Sequence, residues 1–370
     1  MSKLEELIQR YCPDGVEYVH IGKIAQVGTG SSNGNEAEDD GIYPFFIRSQ
    51  TIKRKNDYEY DEEAIIIPGE GGIGDIFHYI NGKYALHQRV YRIHFTTPSV
   101  NVKFAFYYMG SAFKQFILKK AVSATVTSIR KPMIEEFEIP IPPLPIQEEI
   151  VRVLDTFTEL QAELQAELQK RLQQYNYYRD NLLSFEGREN VEWRPLVDCC
   201  LILDGKRKPI TKGARKSGQY PYYGANGVQD HVANYIFDGT FILVGEDGSV
   251  ITPDGKPVVN WAEGKIWVNN HAHILAEKPG VLLRFLYYYI QTIDIHNLVH
   301  GNIPKLTQGD LKDLFIPSLP LDEQEKIVKV LDRFDALTTD LTAGLPAEIE
   351  KRRQQYEYYR DQLLTFKRAN

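Results

Sequence analysis

Cysteine is scarce in this sequence, and its arrangement argues against two common kinds of site. The 370 residues include three cysteines, Cys12, Cys199 and Cys200, none of which forms a CxxC pair. Adjacent cysteines seldom bond to each other. We therefore expect neither a disulfide framework nor a structural zinc.

Long apolar stretches are also missing. No run approaches the roughly 20 residues that a membrane-spanning helix needs. The first residues, "MSKLEELIQR", lack the basic-then-apolar pattern of a signal peptide. With 43% hydrophobic and 25% charged residues, the composition is that of a globular chain. We expect a cytoplasmic protein with no membrane association.

The sequence lacks the motifs of an amino-methyltransferase and of a phosphate-loop enzyme. An amino-methyltransferase needs a glycine loop for its cofactor and an [ND]PP[YFW] motif, but Pro142-Pro143 follows Ile141. No GxxxxGK[ST] phosphate loop is present either. His271 and His273, and likewise His296 and His300, have spacings that a metal could use, although packing or binding roles are favoured. We expect no catalytic residue, bound cofactor or metal in this chain.

Acidic residues are absent from one long stretch, although the net charge is −7. Between Asp75 and Glu135 the chain carries nine lysines and arginines and no acid. Further basic blocks are "KRK" at 53–55 and "GKRKPITKGARKSG" at 205–218. A chain that is acidic overall can thus present basic faces to phosphate.

The chain contains an internal duplication. "IVRVLDTF" at 150–157 recurs as "IVKVLDRF" at 327–334, and "QYNYYRDNLLSF" at 174–185 recurs as "QYEYYRDQLLTF" at 355–366. Weaker echoes, such as "PGEGG" against "VGEDG", extend the duplication into the region that precedes each pair of motifs. A repeat of this length indicates two copies of one architecture, each a globular region followed by a long helix.

Apolar residues at helical spacing predict both helices. The second copy has a breaker, because Gly344 and Pro346 are expected to interrupt or kink it, and "DEQE" at 322–325 resembles a capping box. Aligning "VEY" with "VEW" places Leu7 and Ile8 on Leu182 and Leu183. The segment "KLEELIQRY" is therefore predicted to supply the last turns of a helix that begins near the other end of the chain.

These helix motifs, each following a variable globular region, resemble the specificity subunit of type I restriction-modification systems. The resemblance covers essentially the whole chain. It implies a non-catalytic subunit with two target recognition domains, each of which reads one half of a bipartite, asymmetric double-stranded DNA site.

The resemblance also implies partners and their cofactors. Two modification subunits, which carry S-adenosylmethionine and methylate adenine at N6, are expected to dock on the helices. Restriction and translocase subunits, which use ATP and Mg, are expected in the full complex.

The expected fold class is α+β, with two mixed α/β recognition domains joined by two long antiparallel helices packed as a coiled coil. A pseudo-two-fold repeat relates the halves. We predict the first recognition domain at 1–146, the central helix at 147–186, the second recognition domain at 187–320 and the distal helix at 321–370.

Candidate site residues follow from side-chain chemistry. Phosphate contacts suit exposed cations, whereas base contacts suit arginine for guanine and asparagine or glutamine for adenine. We predict phosphate contacts at Lys53, Arg54, Lys55, Lys119, Lys120, Lys206, Arg207 and Lys208. We predict base contacts at Arg48, His87, Gln88, Arg89 and Arg130 in the first domain, and at Asn226, Gln229, His231, Asn269, Asn270 and Asn302 in the second. Tyr177 and Tyr358, which lie off the apolar stripes, are predicted to contact the partner subunits.

The alternative interpretation is a two-lobed coiled-coil adaptor that never binds DNA. The acid-free stretch argues against it, because an adaptor needs no such basic face. One further feature, "TELQAELQAELQ" at 158–169, is a tetrapeptide written three times. In the family that the chain resembles, such repeats in the central helix are associated with the distance between the two DNA half-sites.

Overall fold

The computed structural model describes residues 3–72, 74–120, 128–185, 187–189, 191–340 and 342–369, and only the backbone of Lys120. The chain forms two compact units, one comprising residues 1–164 and 349–370 and the other residues 165–348. Each unit combines one sheet domain with parts of the long helices.

The first unit contains the first eight strands of the described residues. Its strands are β1 (Tyr18–His20), β2 (Ala25–Thr29), β3 (Tyr43–Phe46), β4 (Lys53–Lys55), β5 (Tyr60–Pro68), β6 (His78–Leu86), β7 (Val90–Phe95) and β8 (Glu138–Pro140). Its helices are α1 (Lys3–Tyr11), α2 (Ile21–Ile24), α3 (Val102–Lys120), α4 (Lys131–Glu135) and the first part of α5 (Leu144–Leu182).

The second unit repeats this order. Its strands are β9 (Glu192–Pro195), β10 (Leu201–Ile202), β11 (Ser217–Gly224), β12 (Gly227–Val232), β13 (Phe237–Gly245), β14 (Val259–Val268), β15 (Ala272–Ala276) and β16 (Phe315–Ser318). Its helices are the rest of α5, α6 (Leu196–Cys199), α7 (Leu283–Ile290), α8 (Gln308–Lys312) and α9 (Leu321–Thr339), while α10 (Leu345–Leu363) belongs largely to the first unit.

The two six-stranded sheets have the same topology within the described residues, and each unit adds a two-stranded sheet, β1-β8 or β16-β9. The first has the strand order β2-β7-β5-β6-β3-β4 and the second the order β10-β15-β13-β14-β11-β12. Neighbouring strands are antiparallel except for β3 with β6 and β11 with β14, which are parallel. The predicted α+β fold and its internal repeat are therefore confirmed.

Each unit has its own apolar core between sheet and helix. In the first unit α3 contributes Ala105, Met109 and Phe113 to a cluster that includes Ile65 and Ile93 of the central strands. In the second unit α7 contributes its buried face to a cluster with the central strands. The burial of such side chains is the main stabilising term for each domain.

The long helices pack antiparallel within each unit. In the first unit Ile146 and Ile150 of α5 cluster with Leu363 and Leu364, and further along α5 Phe157 lies 5.6 Å from Tyr359, between ring centroids. In the second unit the end of α5 clusters with Ile327 and Leu331 of α9, and Tyr178 stacks on Phe334 at 5.4 Å. In each unit, later residues of α5 therefore contact earlier residues of the facing helix.

The distal helix is interrupted, as Gly344 and Pro346 predict. α9 ends at Thr339 and α10 begins at Leu345. A Cβ at Gly344 would lie 2.7 Å from the carbonyl oxygen of Ala336, so a side chain there would clash with backbone. The capping-box prediction is wrong, because Pro320 occupies the N-cap of α9 and no side chain caps it.

The prediction for the first helix is also wrong. α10 itself runs to Leu363, the position equivalent to Leu182, and α1 packs beside it through Leu4, Leu7 and Ile8. The C-terminal segment returns to the start of the domain, where Val16 N donates to the Lys367 carbonyl over 2.8 Å. α1 is therefore a separate helix rather than the end of another one.

A buried glutamine joins each long helix to its own domain. Gln147 accepts from Asn101 N at 2.8 Å and donates to the carbonyl oxygens of Ser99, at 2.8 Å, and Pro142, at 2.6 Å. Gln324 repeats the pattern with the equivalent groups, which are Leu282 N, Gly280 O and Leu319 O. Both amides bind backbone groups that lie just before α3 or α7 and just before their own helix.

An aspartate eight residues further along each helix, about two turns, makes a second contact. Asp155 accepts from Lys103 and from the Tyr107 hydroxyl, each at 2.7 Å. In the second unit Asp332 accepts from Arg284 and Tyr288, each at 2.7 Å. Burial raises the pKa of both tyrosines well above the ordinary value, so both hydroxyls remain protonated donors.

Candidate nucleic-acid interface

A short turn between β6 and β7 carries three of the predicted base-contacting residues, His87, Gln88 and Arg89. His87 N donates to the Phe46 carbonyl over 3.0 Å, which fixes the turn to the end of β3. The Arg89 N–H donates to Nδ1 of His87 over 3.0 Å. The His87 ring is buried and serves to shape the turn, while Gln88 and Arg89 are exposed.

The equivalent turn of the second domain, between β14 and β15, has the same hydrogen bonds. Asn269 N donates to the Tyr223 carbonyl over 3.1 Å. The His271 N–H donates to Oδ1 of Asn269 over 2.8 Å. The sequences "HQR" and "NNH" thus build one backbone frame with different side chains.

A carboxylate from the neighbouring loop holds the third residue of each turn. Glu70, after β5, accepts from Arg89 at 3.0 Å and from Arg48 at 2.9 Å. Asp247, after β13, is hydrogen-bonded to Nδ1 of His271. Gly71 has a φ of 73°, a left-handed conformation that suits glycine and allows the loop to bend beside these side chains.

The first of these clusters borders a cleft. Arg48, Glu70 and His87 line a cavity of about 300 Å³ together with Gly34 and Ile47. The guanidinium groups of Arg89 and Arg48 hold the pKa of the Glu70 carboxyl below its ordinary value. Burial, and then the two nearby guanidinium groups, lower the pKa of His87. At neutral pH the cleft therefore combines an anionic carboxylate, a neutral imidazole and two cations.

Arg130 lies at the N-cap of α4 and is exposed. The preceding residue, Ile129, donates its N–H to the Gly69 carbonyl over 2.7 Å, and Gly69 N donates to the Arg89 carbonyl over 2.9 Å. Three of the predicted first-domain residues, Arg48, Arg89 and Arg130, are thus brought to loops that meet around 69–71.

The predicted base-contacting residues of the second domain are more dispersed. Asn269 is 2% exposed, and its amide donates to Gln229 Oε1 over 3.4 Å. Asn226, Asn270 and Asn302 are exposed on separate loops, and His231 is exposed on β12. The described structure therefore gives Asn269 an internal role in the turn, and the other assignments stay predictions.

The predicted phosphate contacts of the first domain divide into exposed and internal cations. Lys53 and Lys119 are exposed, and the Arg54 guanidinium donates to the Ile42 carbonyl over 3.0 Å. The Lys55 side chain is 12% exposed and bonds to Glu36 at 2.8 Å. The Lys120 side chain lies outside the described residues. Lys55 is therefore tied to its own domain, which the sequence did not indicate.

The basic block of the second domain divides in the same way. Lys206 and Lys208 are exposed. The Arg207 side chain is 13% exposed, pairs with Glu246 and donates to the Ala272 carbonyl over 2.8 Å. Its charge is neutralised inside the domain.

Asp204, Glu246 and His273 place potential ligand atoms within 4.8 Å of one another. Those atoms already have protein partners. His273 Nδ1 lies 2.6 Å from Asp204 and Nε2 lies 2.9 Å from the Leu306 carbonyl. Burial acts to raise the pKa of Asp204, but its hydrogen bonds, led by that from His273, leave it below the ordinary value. The arrangement is that of a satisfied buried ion-pair network rather than a metal centre.

Tyr177 and Tyr358 are exposed at equivalent positions, with 66% and 59% of each residue accessible. The next residue in each case makes a ring contact with the facing helix: Tyr178 stacks on Phe334, and Tyr359 stacks on Phe157. In each "YY" pair the second ring stacks on the facing helix and is still 43% or 39% exposed, while the first ring is more exposed.

The predicted DNA contacts did not include Glu70, Asp247 or His271, although His271 was noted for a packing or binding role. The echo "PGEGG" against "VGEDG" contains both carboxylates one position apart, with Glu70 as its third residue and Asp247 as its fourth. That signal indicated duplication but not which side chains the carboxylates would hold.

Among the described residues, no helix combines the length and apolar character that crossing a bilayer requires. The sequence profile of the type I restriction modification DNA specificity domain matches residues 13–174 and again residues 188–351. The two matches correspond to the two copies of the repeat.

Individual proteins of similar sequence carry the same family description. A Haemophilus influenzae protein provisionally named a type I restriction enzyme specificity subunit is 42% identical over 190 residues, 50% of this chain and 49% of the relative. The Escherichia coli type I restriction enzyme EcoprrI specificity subunit is 33% identical over 261 residues, 65% of this chain and 63% of the relative. The matches thus span about half to two thirds of these relatives.

The fold has a counterpart among solved structures. The S subunit of a type I restriction-modification system from M. genitalium superposes with a TM-score of 0.63 at 17% sequence identity, covering 94% of this chain and 95% of that one. With both halves matched by the profile and the whole fold shared, the chain belongs to the type I restriction-modification DNA specificity family.

Proposed function

We propose that this chain is the DNA sequence-specificity subunit of a type I restriction-modification complex. Each sheet domain binds one half of a bipartite, asymmetric site. The helices set the spacing of the half-sites and dock two methyltransferase subunits. The observation that carries this proposal is the pair of equivalent turns, 87–89 and 269–271, which have one backbone frame and different polar side chains.

A repeated frame with changed side chains suits two domains that bind two different sequences. Base recognition requires donors and acceptors on well-held backbone. The exposed cations Lys53, Lys119, Lys206 and Lys208 supply phosphate contacts, which orient the domains without discriminating sequence. Lys55 and Arg207 contribute little to this attraction, because carboxylates already neutralise them.

Catalysis belongs to the partners in this proposal. The methyltransferase subunits bind S-adenosylmethionine, and restriction subunits, where present, use ATP and Mg. Membership of the specificity family argues against the adaptor interpretation, under which the two turns would have no reason to vary their side chains on one frame.

The test is co-expression of this chain with its cognate modification subunit in a host without other adenine methylation. N6-methyladenine is then mapped across the genome. We expect a split motif with a fixed, unspecified gap, and no methylation when either subunit is expressed alone. Methylation without this chain, or by this chain alone with S-adenosylmethionine, would refute the proposal.

A further inference from the structure

The cluster of Arg48, Glu70 and Arg89 has a geometry that a surface ion pair does not need. Two guanidinium groups from separate loops share one carboxylate, at 2.9 Å for Arg48 and at 3.0 and 3.2 Å for Arg89. All three side chains are partly accessible. Exposed pairs of this kind contribute little to folding, commonly less than about 1 kcal/mol, so stability does not account for the arrangement.

The loops that carry the cluster are fixed by backbone hydrogen bonds. The turn 87–89 is tied to β3 through His87 N and to the loop before it, where Ser32 N donates to the Leu86 carbonyl over 3.3 Å. Gly69 joins the carboxylate loop to Arg89 through a 2.9 Å hydrogen bond. The Arg89 guanidinium thus starts from a hydrogen-bonded backbone, which lowers the entropy lost when it binds a ligand.

The second domain repeats the frame but not the chemistry. Lys208 N donates to the Val268 carbonyl over 3.3 Å, as Ser32 does to Leu86. Asp247 holds His271 where Glu70 holds Arg89. Four features therefore recur, namely both strand-end hydrogen bonds, the side-chain acceptor within the turn and the carboxylate. The side chains on this frame differ, with His87, Glu70 and Arg89 in the first domain and Asn269, Asp247 and His271 in the second.

The chemistry of the first cluster fits one kind of base pair. An arginine fork donates two hydrogen bonds to O6 and N7 of guanine, and a carboxylate accepts from the N4 amino group of cytosine. A site with two arginine forks beside one carboxylate matches a G·C pair in the major groove. Opposite an adenine, the same site would place its guanidinium donors against the N6 amino group, which is also a donor, so that hydrogen bond would be lost.

We propose that Arg48 and Arg89 bind the edge of a guanine in one half-site, and that Glu70 is the positioning residue that holds the two guanidinium groups for this contact. The inference rests on the proposed function, because it names the base chemistry of one of the two recognition domains. The equivalent pair Asp247 and His271 performs the corresponding role for the other half-site.

The test is a set of matched variants in the co-expressed methyltransferase complex. Glu70→Gln keeps the size of the side chain and removes its charge. We expect a G·C position of one half-site to become degenerate, with discrimination there falling roughly tenfold to a hundredfold. Binding to unrelated DNA should not weaken, because the variant loses a negative charge next to phosphate.

Two further variants separate positioning from simple attraction. Arg89→Lys keeps the positive charge but not the planar fork, so we expect the same loss of discrimination with little change in the salt dependence of binding. Asp247→Asn is the matched variant of the other domain and should alter the other half-site only.

The outcomes are distinguishable. A wild-type motif without a G·C pair in the half-site that Glu70→Gln affects would overturn the base assignment. A motif unchanged in both Glu70→Gln and Arg89→Lys would overturn the role of the cluster, although the split motif itself would still support the proposed function. Absence of any split motif in the wild-type complex would instead refute the proposed function.

Discussion

The Tyr107 hydroxyl donates to the Asp155 carboxylate over 2.7 Å, so the helix α5 is joined to the first sheet domain by a charge-assisted hydrogen bond. Tyr288 makes the same contact with Asp332 in the second unit. Both pairs lie beside a cation, Lys103 or Arg284, that bonds to the same carboxylate. The junction between helix and domain is therefore polar and specific in both copies.

Removing one hydroxyl tests this junction. Tyr288→Phe should lower the free energy of unfolding of the second unit by about 1.5 to 3 kcal/mol, the usual contribution of a hydrogen bond to a charged group. All three tryptophans, Trp193, Trp261 and Trp267, lie in that unit, so their fluorescence in a urea titration reports on it alone. Tyr177→Phe, on an exposed ring, is the control, and an equal loss in both variants would contradict the assignment.

The buried glutamine is the second test. Gln147→Ala leaves Asn101 N and two carbonyl oxygens without their partner, and a buried group left unsatisfied, such as the Pro142 carbonyl oxygen, costs about 1 to 3 kcal/mol. We expect the largest destabilisation of any substitution discussed here, measured by circular dichroism during thermal unfolding. Gln169→Ala, an exposed glutamine on the same helix, should leave the transition unchanged.

Glu149 predicts an acid-dependent stability. Arg152 donates to its carboxylate at 2.6 Å and Lys3 at 2.7 Å, and these contacts lower its pKa from 4.5 to about 2. A group whose pKa is lowered by folding stabilises the protein above its unfolded pKa and loses that contribution as the pH falls towards its folded pKa. The contribution of Glu149 is thus lost between pH 4.5 and about 2.

Urea titrations at several pH values measure this effect. Glu149→Gln should be less stable than the wild type near neutral pH, and the difference should shrink across that acidic window. A difference that stays constant with pH would show that the carboxylate charge is not responsible.

Deleting "AELQ" at 162–165 tests the spacer. The buried residues of α5 end at Leu154, so the deletion removes no core side chain. Four helical residues correspond to about 6 Å and about 40° beyond a full turn, close to the rotation of one base pair, about 35°. We expect the gap of the methylated motif to shorten by about one base pair with both half-sites intact. A changed half-site with an unchanged gap would refute the spacer role.

Tyr177 and Tyr358 test the docking surface. Tyr177→Ala and Tyr358→Ala should each weaken binding of one modification subunit, because exposed aromatic rings are frequent anchors of protein interfaces. We expect at least a tenfold rise in the dissociation constant for that copy, equivalent to about 1.4 kcal/mol, in a titration with purified subunits. Gln169→Ala is the control, and unchanged binding in both tyrosine variants would exclude this surface.

The sequence predicts the architecture well because the helices follow simple patterns. The apolar period, the repeated motifs and the breakers at Gly344 and Pro346 are all local signals, and the observed helices agree with them. The exception is α1, because the alignment of "VEY" with "VEW" assigned it a position that the end of α10 occupies.

The candidate site is less predictable because its contacts are not local. Lys55 and Glu36 are 19 residues apart, and Arg207 and Glu246 are 39 apart, so nothing in the basic blocks shows which cations are neutralised. The turns 87–89 and 269–271 are alike in backbone hydrogen bonds rather than in side chains. Arg48, His87 and Arg89 were predicted individually, but the carboxylate that gathers the two arginines is evident only in the folded domain.

The matched glutamine and aspartate contacts have a consequence for how such chains can diversify. Each sheet domain meets its helix through the same few atoms, so one domain could replace the other without redesign of the junction. A chain with the first domain in both places should then bind the same half-site sequence twice, and a domain borrowed from a relative should create a new hybrid specificity in a single recombination.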